Sequence, residues 1–421
     1  MLTAQEISHR KRPPDGPTLW YLGAPSTDRS LEGRVGDLSM TSDDRKIPFN
    51  QPMLHGSELD YIRETIEVMH TAGDGPFTRK CVDLLRQELG SAGVMLTTSC
   101  TDALEMSALL LDVQQGDEVI VPSFAFVSSV NCFAMRGAKP VFCDIRPDTL
   151  NLDETLIESL ISPRTKAVVP VHYGGVGCEM DVILEIAERR GIAVVEDNAH
   201  GLFSRYRGRY LGTFGCLSTN SFHETKNIMC GEGGALIIND PSLVERAEII
   251  RDKGTNRQQL FRGEVDKYTW VDLGSSYVLS DILAAFLYAQ LEARDEIAQR
   301  RRELWNYYDA QLREWAHPHG IATPTVPEHC EQGFHVYYLI LRSRSQRVGL
   351  ASHLRERGIH AEFHYTPLHQ SPMGRKLAPE EISCPVTERV SDCLLRLPFH
   401  TGLTREDQER VVSEIKGWAK V

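Results

Sequence analysis

Short apolar runs separated by amphipathic stretches recur through the middle of the chain. Residues 119–121, 141–144, 167–171, 192–196 and 235–238 are Val- and Ile-rich and short, as expected of strands buried on both faces. Between them lie stretches such as 181–190, in which apolar positions recur at helical spacing. This alternation predicts an α/β fold whose mostly parallel sheet is covered by helices on both faces. Ligands are then expected beyond the carboxyl ends of the strands. Residues 280–312 predict one long helix leading into a smaller α/β domain with strands at 336–341 and 360–365. The expected organisation is a large domain over 47–290 and a small C-terminal domain over 291–421. Residues 1–46, rich in Pro, Ser, Asp, Arg and Gly, read as a disordered extension, and Met40 offers an alternative start.

Composition narrows the class. A chain of 421 residues, 41% hydrophobic and 25% charged, suffices for one large core and a lesser lobe. Its net charge of -12, with Lys and Arg dispersed, argues against nucleic acid as a partner. No run approaches the roughly 20 apolar residues of a membrane span, and residues 1–14 lack the apolar stretch of a signal peptide. The ten cysteines contain no Cys-x-x-Cys pair, which suits a reducing compartment, so the cytoplasm is the expected location.

The chemistry is carried by the run Ser221-Phe222-His223-Glu224-Thr225-Lys226-Asn227, followed by Gly231-Glu232-Gly233-Gly234. A lysine between a strand and a glycine-rich turn is placed to condense with an aldehyde cofactor, for which pyridoxal phosphate is the expectation. Upstream, the apolar stretch at 192–195 delivers Glu196 and Asp197 at a strand end. Asp197 is either a helix N-cap or the carboxylate that keeps the cofactor's pyridine nitrogen protonated; beside Lys226 the second role is favoured. Thr97-Thr98-Ser99-Cys100-Thr101 opens an apolar helical stretch, and a helix N-terminus with small hydroxyl residues suits a phosphate. Ser221 is a further hydroxyl donor to it. Phe126, just past the run 119–121, either stacks on the pyridine ring or packs in the core. His364 and His369 flank Pro367 in a loop and are either sugar contacts or solvated histidines. His223-Glu224 hints at a zinc helix, but Asn227 stands where its second histidine belongs.

With these segments in view, the chain resembles the DegT/DnrJ/StrS sugar aminotransferases from about Pro48 to near the C-terminus. Within that family it resembles the dTDP-4-amino-4,6-dideoxygalactose transaminases of enterobacterial common antigen synthesis. The stretches that carry this are Gly73-Asp74-Gly75-Pro76-Phe77-Thr78-Arg79, Arg146-Pro147-Asp148-Thr149, Val169-Pro170-Val171-His172-Tyr173, the Lys226 run, and Lys253-Gly254-Thr255-Asn256-Arg257. The resemblance implies fold type I of the pyridoxal phosphate-dependent transferases, aspartate aminotransferase-like. It implies Lys226 as the covalent cofactor lysine, Asp197 on the ring nitrogen, His200 near the ring oxygen, Cys100, Thr101 and Ser221 on the phosphate, and Phe126 stacked on the ring. Arg79 and Asn256 join His364 and His369 as substrate-side candidates, and Asn256 or Arg257 as residues crossing between the subunits of a homodimer with shared active sites. Three positions depart from the family pattern. Ser276 replaces an asparagine that reaches a neighbouring subunit's phosphate, Val278 replaces an arginine beside it, and His200 stands where glutamine is frequent. The implied reaction moves the amino group of L-glutamate to C4 of dTDP-4-dehydro-6-deoxy-D-glucose, giving the galacto amino sugar. Its alternatives are the gluco epimer, a 3-keto sugar substrate or a non-catalytic cofactor-bound protein. Related 3-dehydratases carry histidine in place of the lysine.

Overall fold

A computed structural model of the chain describes residues 45–378 and 382–418. The expected extension over residues 1–46, with Met40, lies outside the described residues except for its last two. Among the described residues the strands are β1 (Gly93–Thr97), β2 (Glu118–Pro122), β3 (Lys139–Cys143), β4 (Thr165–Val168), β5 (Ala193–Asp197), β6 (Arg205–Tyr206), β7 (Arg209–Tyr210), β8 (Leu217–Ser221), β9 (Gly234–Ile238), β10 (Cys330–Glu331), β11 (Tyr338–Ile340) and β12 (Leu394–Arg396).

Seven of them form the central sheet, in the order β1-β9-β8-β5-β4-β2-β3. Only β9 runs against its neighbours; the pairs β8–β5, β5–β4, β4–β2 and β2–β3 are parallel. Strands β1, β2 and β9 are buried at every position, which is why their sequences read as unbroken apolar runs rather than alternations. One face of the sheet packs on helices Cys100–Leu110, Ser128–Ala134 and Val244–Arg251, the other on Pro76–Leu89 and Asp281–Glu292. Gly234, the first residue of β9, lies so close to the start of helix Cys100–Leu110 that a Cβ there would fall 2.4 Å from the backbone of Ser99 and Cys100. The carboxyl ends of β1, β2, β5 and β8 share one edge; the loops that leave β1, β2 and β8 carry Ser99, Phe126 and Lys226, and Asp197 ends β5.

A second core gathers Ile47 with residues of helices Arg294–Ala316, Arg344–Glu356 and Arg405–Trp418, and of β11 and β12. Ile47 bridges Ile359 and so belongs with this core rather than with the large sheet. Phe124 and Tyr173 from the sheet edge pack with Val336, Tyr338, Val390 and Leu394, which forms the seam between the two.

Two expected elements differ. The helix expected over 280–312 is two helices, Asp281–Glu292 and Arg294–Ala316, that meet at Ala293, whose ψ of 6° takes the chain out of register. The first helix is apolar over most of its surface and is sandwiched against the sheet, whereas the second buries one stripe, Ile297, Arg301, Leu304, Trp305, Tyr308 and Leu312. Each follows its own core. The strand expected at 360–365 is a single bridge between Glu362 and Arg396. Beyond that bridge His364 and Tyr365 leave the ladder to line a cavity, and the partner of β11 is the three-residue β12.

Candidate active site

A cavity of about 740 Å³ opens between the carboxyl edge of the sheet and the second core, within the ~300–1,000 Å³ common for small-molecule sites. Lys226 lines it, in the turn after β8 that is closed by its own N–H donating to the His223 carbonyl at 2.9 Å. Burial disfavours its ammonium form and brings its pKa from 10.5 to about 8; the fields of Cys100 and Asp197 act in the opposite sense.

Asp197 ends β5, buried at the cavity wall. Its Oδ2 accepts from Ser129 Oγ at 2.6 Å and its Oδ1 from the Ala199 N–H at 3.2 Å. The preceding carboxylate, Glu196, points to the opposite face, where it accepts from the N–H groups of Gly212, Phe214 and Gly215 and from His172 Nε2. The Cys178 N–H donates to His172 Nδ1, so the Nε2 of that ring carries the proton shared with Glu196. The loop after β5 is thus pinned from behind while Asp197 faces forward.

Ser99 caps helix Cys100–Leu110, accepting from the Asp102 N–H at 3.1 Å. The N–H groups of Cys100 and Thr101 have no acceptor within the helix and sit at its positive end beside Ser128 and Ser221, both of which line the cavity. Thr101 Oγ1 and Ser128 Oγ are 2.7 Å apart. Phe126 also lines the cavity, 57% exposed, whereas Phe124 is the phenylalanine of this segment that is buried in the core.

A stack of imidazoles forms the far wall. The His200 and His335 rings lie 4.2 Å apart at 24°, and the His200 and His364 rings 6.2 Å apart at 25°. Burial pushes all three well below the ordinary histidine range, so they are neutral. Their tautomers follow from their partners. The Gly174 N–H donates to His200 Nδ1 at 3.3 Å, which leaves the proton on Nε2. Asn227 donates through Nδ2 to the Gly333 carbonyl at 2.6 Å and presents Oδ1 to His335 Nδ1 at 2.9 Å, so His335 is protonated on Nδ1. His364 Nδ1 shares a hydrogen bond of 3.0 Å with the Tyr173 hydroxyl.

Of the residues expected at the site, Lys226, Asp197, His200, Ser221, Cys100, Thr101, Phe126 and His364 line this cavity. Four others do not. His369 is buried behind the wall with both ring nitrogens engaged, Nδ1 with Ser123 Oγ at 2.6 Å and Nε2 with Glu388 at 3.2 Å. Arg79 is exposed and donates to the Asp74 carbonyl. The Asn256 side chain is spent on Gln259 and the Thr269 N–H, and Ser276 is exposed, with its backbone bridged to Asp252. Within one chain, then, Arg79, Asn256 and Ser276 are not cavity residues. The reading of the sequence passed over His335, Arg396 and Ser129. His335 opens an apolar run after Gly333-Phe334, a position comparable to that of Asp197 at the end of one, and could have been marked. Arg396 closes a run of two leucines, too short to signal a strand.

Comparison with known proteins agrees with this geometry. The sequence model of the DegT/DnrJ/EryC1/StrS aminotransferase family matches residues 52–416. An uncharacterised protein of Methanocaldococcus jannaschii is 32% identical over 377 residues, covering 88% of this chain and 97% of that protein. The aminotransferase TlmJ of Streptoalloteichus hindustanus superposes with a TM-score of 0.81 at 33% identity, over 89% of this chain and 98% of its own. A Streptococcus pneumoniae protein provisionally assigned as a sugar aminotransferase was solved in PMP and PLP forms. Both are 26% identical over 89% of this chain and 99% of that one, with TM-scores of 0.83 and 0.82.

Proposed function

The chain belongs to the DegT/DnrJ/EryC1/StrS aminotransferase family and is a pyridoxal phosphate-dependent sugar aminotransferase of fold type I; from this we propose that it carries the amino group of L-glutamate to C4 of dTDP-4-dehydro-6-deoxy-D-glucose, giving dTDP-4-amino-4,6-dideoxy-D-galactose and 2-oxoglutarate. One observation carries the catalytic part: a lysine whose burial lowers its pKa to about 8 faces the same cavity as a buried, hydrogen-bonded aspartate. The sugar and its nucleotide rest on the likeness of the sequence runs described above.

The residues fit the cofactor. The open helix start at Cys100 and Thr101, with Ser221 and Ser128, suits a phosphate; Phe126 offers an apolar face; Asp197 offers a carboxylate whose other contacts hold it in place. When bound, pyridoxal phosphate supplies the carbon that exchanges the amino group and a protonated ring that accepts the electron pair freed when the donor's α-proton leaves. Lys226 would hold the cofactor and, with its amine free, would take that proton and return it, a task suited to an amine that is part-deprotonated near neutral pH. His200 donates through Nε2–H, the one proton left to its ring. The imidazole wall and Tyr365 line the cavity, with Tyr173 packed behind them.

We place a second copy of the chain against segment 256–276, where Phe261, Tyr268, Trp270, Val271 and Leu273 are exposed. Asn256 and Ser276 lie on that segment and would then complete the partner's site. Among the described residues no helix is long and apolar enough to cross a membrane. All ten cysteines are unpaired, in keeping with the cytoplasm as the proposed location.

The experiment is half-reaction spectroscopy on holoenzyme. L-Glutamate should remove the visible cofactor absorbance and dTDP-4-dehydro-6-deoxy-D-glucose should restore it, with product NMR showing an axial C4 amine. Recovery with a 3-keto sugar alone would overturn the assigned carbon, and an equatorial amine the assigned epimer.

A further inference from the structure

Three carboxylates line the cavity, and two of them are engaged. Asp197 accepts from Ser129 and the Ala199 N–H, and Glu232 stands 3.7 Å from His223 Nε2. The Glu362 side chain has no hydrogen bond or ion pair among the described residues. Its place is nevertheless fixed, because its N–H donates to the Arg396 carbonyl at 3.0 Å and its carbonyl accepts from the Arg396 N–H at 2.7 Å. Side chains alternate along such an extended segment. Ala361 is buried in the second core, Glu362 turns to the cavity, and His364 returns to the cavity wall as the last ring of the imidazole stack. The carboxylate is therefore carried on a bridged backbone position about 7 Å from that of His364.

An ionised carboxylate only accepts hydrogen bonds, and this sorts the two substrates that use the cavity in turn. At neutral pH 2-oxoglutarate offers no O–H or N–H and carries charge of the same sign as Glu362. L-Glutamate offers one donor group, its amine, and that group is the one transferred. A keto sugar offers hydroxyls on neighbouring ring carbons, and two O–H groups can donate to the two oxygens of one carboxylate with charge-assisted strength. A carboxylate on this wall thus opposes the acids and favours the polyol.

We propose that Glu362 binds the C2 and C3 hydroxyls of the keto sugar and selects for sugars that keep them. This rests on the aminotransferase reading above, and the test separates the two. Wild type, Glu362→Ala and Glu362→Gln, all as holoenzyme, are followed by cofactor absorbance in single turnovers of each half-reaction. L-Glutamate is used first, and then dTDP-4-dehydro-6-deoxy-D-glucose or its 2-deoxy and 3-deoxy forms. Wild type should discriminate against a deoxy form by about 30-fold in the second-order rate constant. Glu362→Ala should lose about 30-fold on the full sugar, treat full and deoxy sugars within about threefold of each other, and react with L-glutamate within about threefold of wild type. Glu362→Gln, which keeps an acceptor oxygen without the charge, should fall between, and it decides the matter if the alanine variant does not fold. A wild type indifferent to both hydroxyls, discrimination that persists in Glu362→Ala, or an equal loss in both half-reactions overturns the proposal. If wild type recovers its absorbance only with a 3-keto sugar, the carbon named above is wrong. The same comparison with the deoxy forms of that sugar then upholds Glu362 if the variant loses the discrimination, and rejects it if the variant does not.

Discussion

Lys226 combines two requirements that conflict in water, namely a charged flexible stem and an amine that gives up its proton. Lys226→Ala should retain the fold and lose turnover by at least about 10³-fold, measured as amino-sugar formation, and borohydride should no longer fix the cofactor to the chain. The same burial has a thermodynamic signature in the cofactor-free protein. With its folded pKa of about 8 below the unfolded value of 10.5, the unfolded chain binds the extra proton between those values, so stability rises with pH across that window. Lys226→Met should therefore stabilise the cofactor-free protein at pH 7, by about 1 kcal/mol given screening by the open cavity, and the gain should fade as pH passes from 8 to 10.5. Chemical denaturation at several pH values reads this directly. Asn227 acts one residue further on, by fixing the His335 proton on Nδ1. Asn227→Asp keeps the acceptor for that proton but sets a carboxylate oxygen against the Gly333 carbonyl in place of the Nδ2 donor, and should lower kcat about tenfold together with Tm, as followed by steady-state kinetics and thermal unfolding.

At the scale of elements, what could be read from the sequence was what lies close along it. The runs that became β2, β3, β4, β5 and β9 are contiguous, and Lys226, Asp197 and the start of helix Cys100–Leu110 are each announced by their neighbours within a few residues. The opposite wall is built from contacts that sequence spacing cannot show: Asn227 meets His335 across 108 positions, and Ser123 meets His369 across 246. For this reason Arg396 went unmarked, while His369 was assigned to a cavity that it only supports from behind. The break at Ala293 was hidden because alanine and its neighbours are good helix formers, and only the divergence of two cores stops the helix there. One element-level contact is open to a direct test. Gly234→Ala would press a methyl group onto the backbone of Ser99 and Cys100, costing about 1–3 kcal/mol and weakening pyridoxal phosphate binding, both measurable by denaturant unfolding and cofactor titration.

For the molecule as a whole, the cavity takes Lys226 and Asp197 from the sheet edge and His335, His364 and Arg396 from the side of the second core. If a second copy covers segment 256–276, Tyr268→Asp combined with Trp270→Asp should yield a monomer by light scattering that has lost most of its turnover. A charge at Val348, 48% exposed on helix Arg344–Glu356, should change neither. The pair Glu196–Asp197 has a further effect on the folded population. The side-chain period of a strand is two, so sliding β5 by a single residue would exchange these carboxylates between faces. Glu196 would lose its donors at Gly212, Phe214, Gly215 and His172, and Asp197 would leave the cavity face and the hydroxyl of Ser129. A slip therefore leaves buried donors unpaired on one face and an unheld carboxylate on the other, a cost that confines the folded population to a single register.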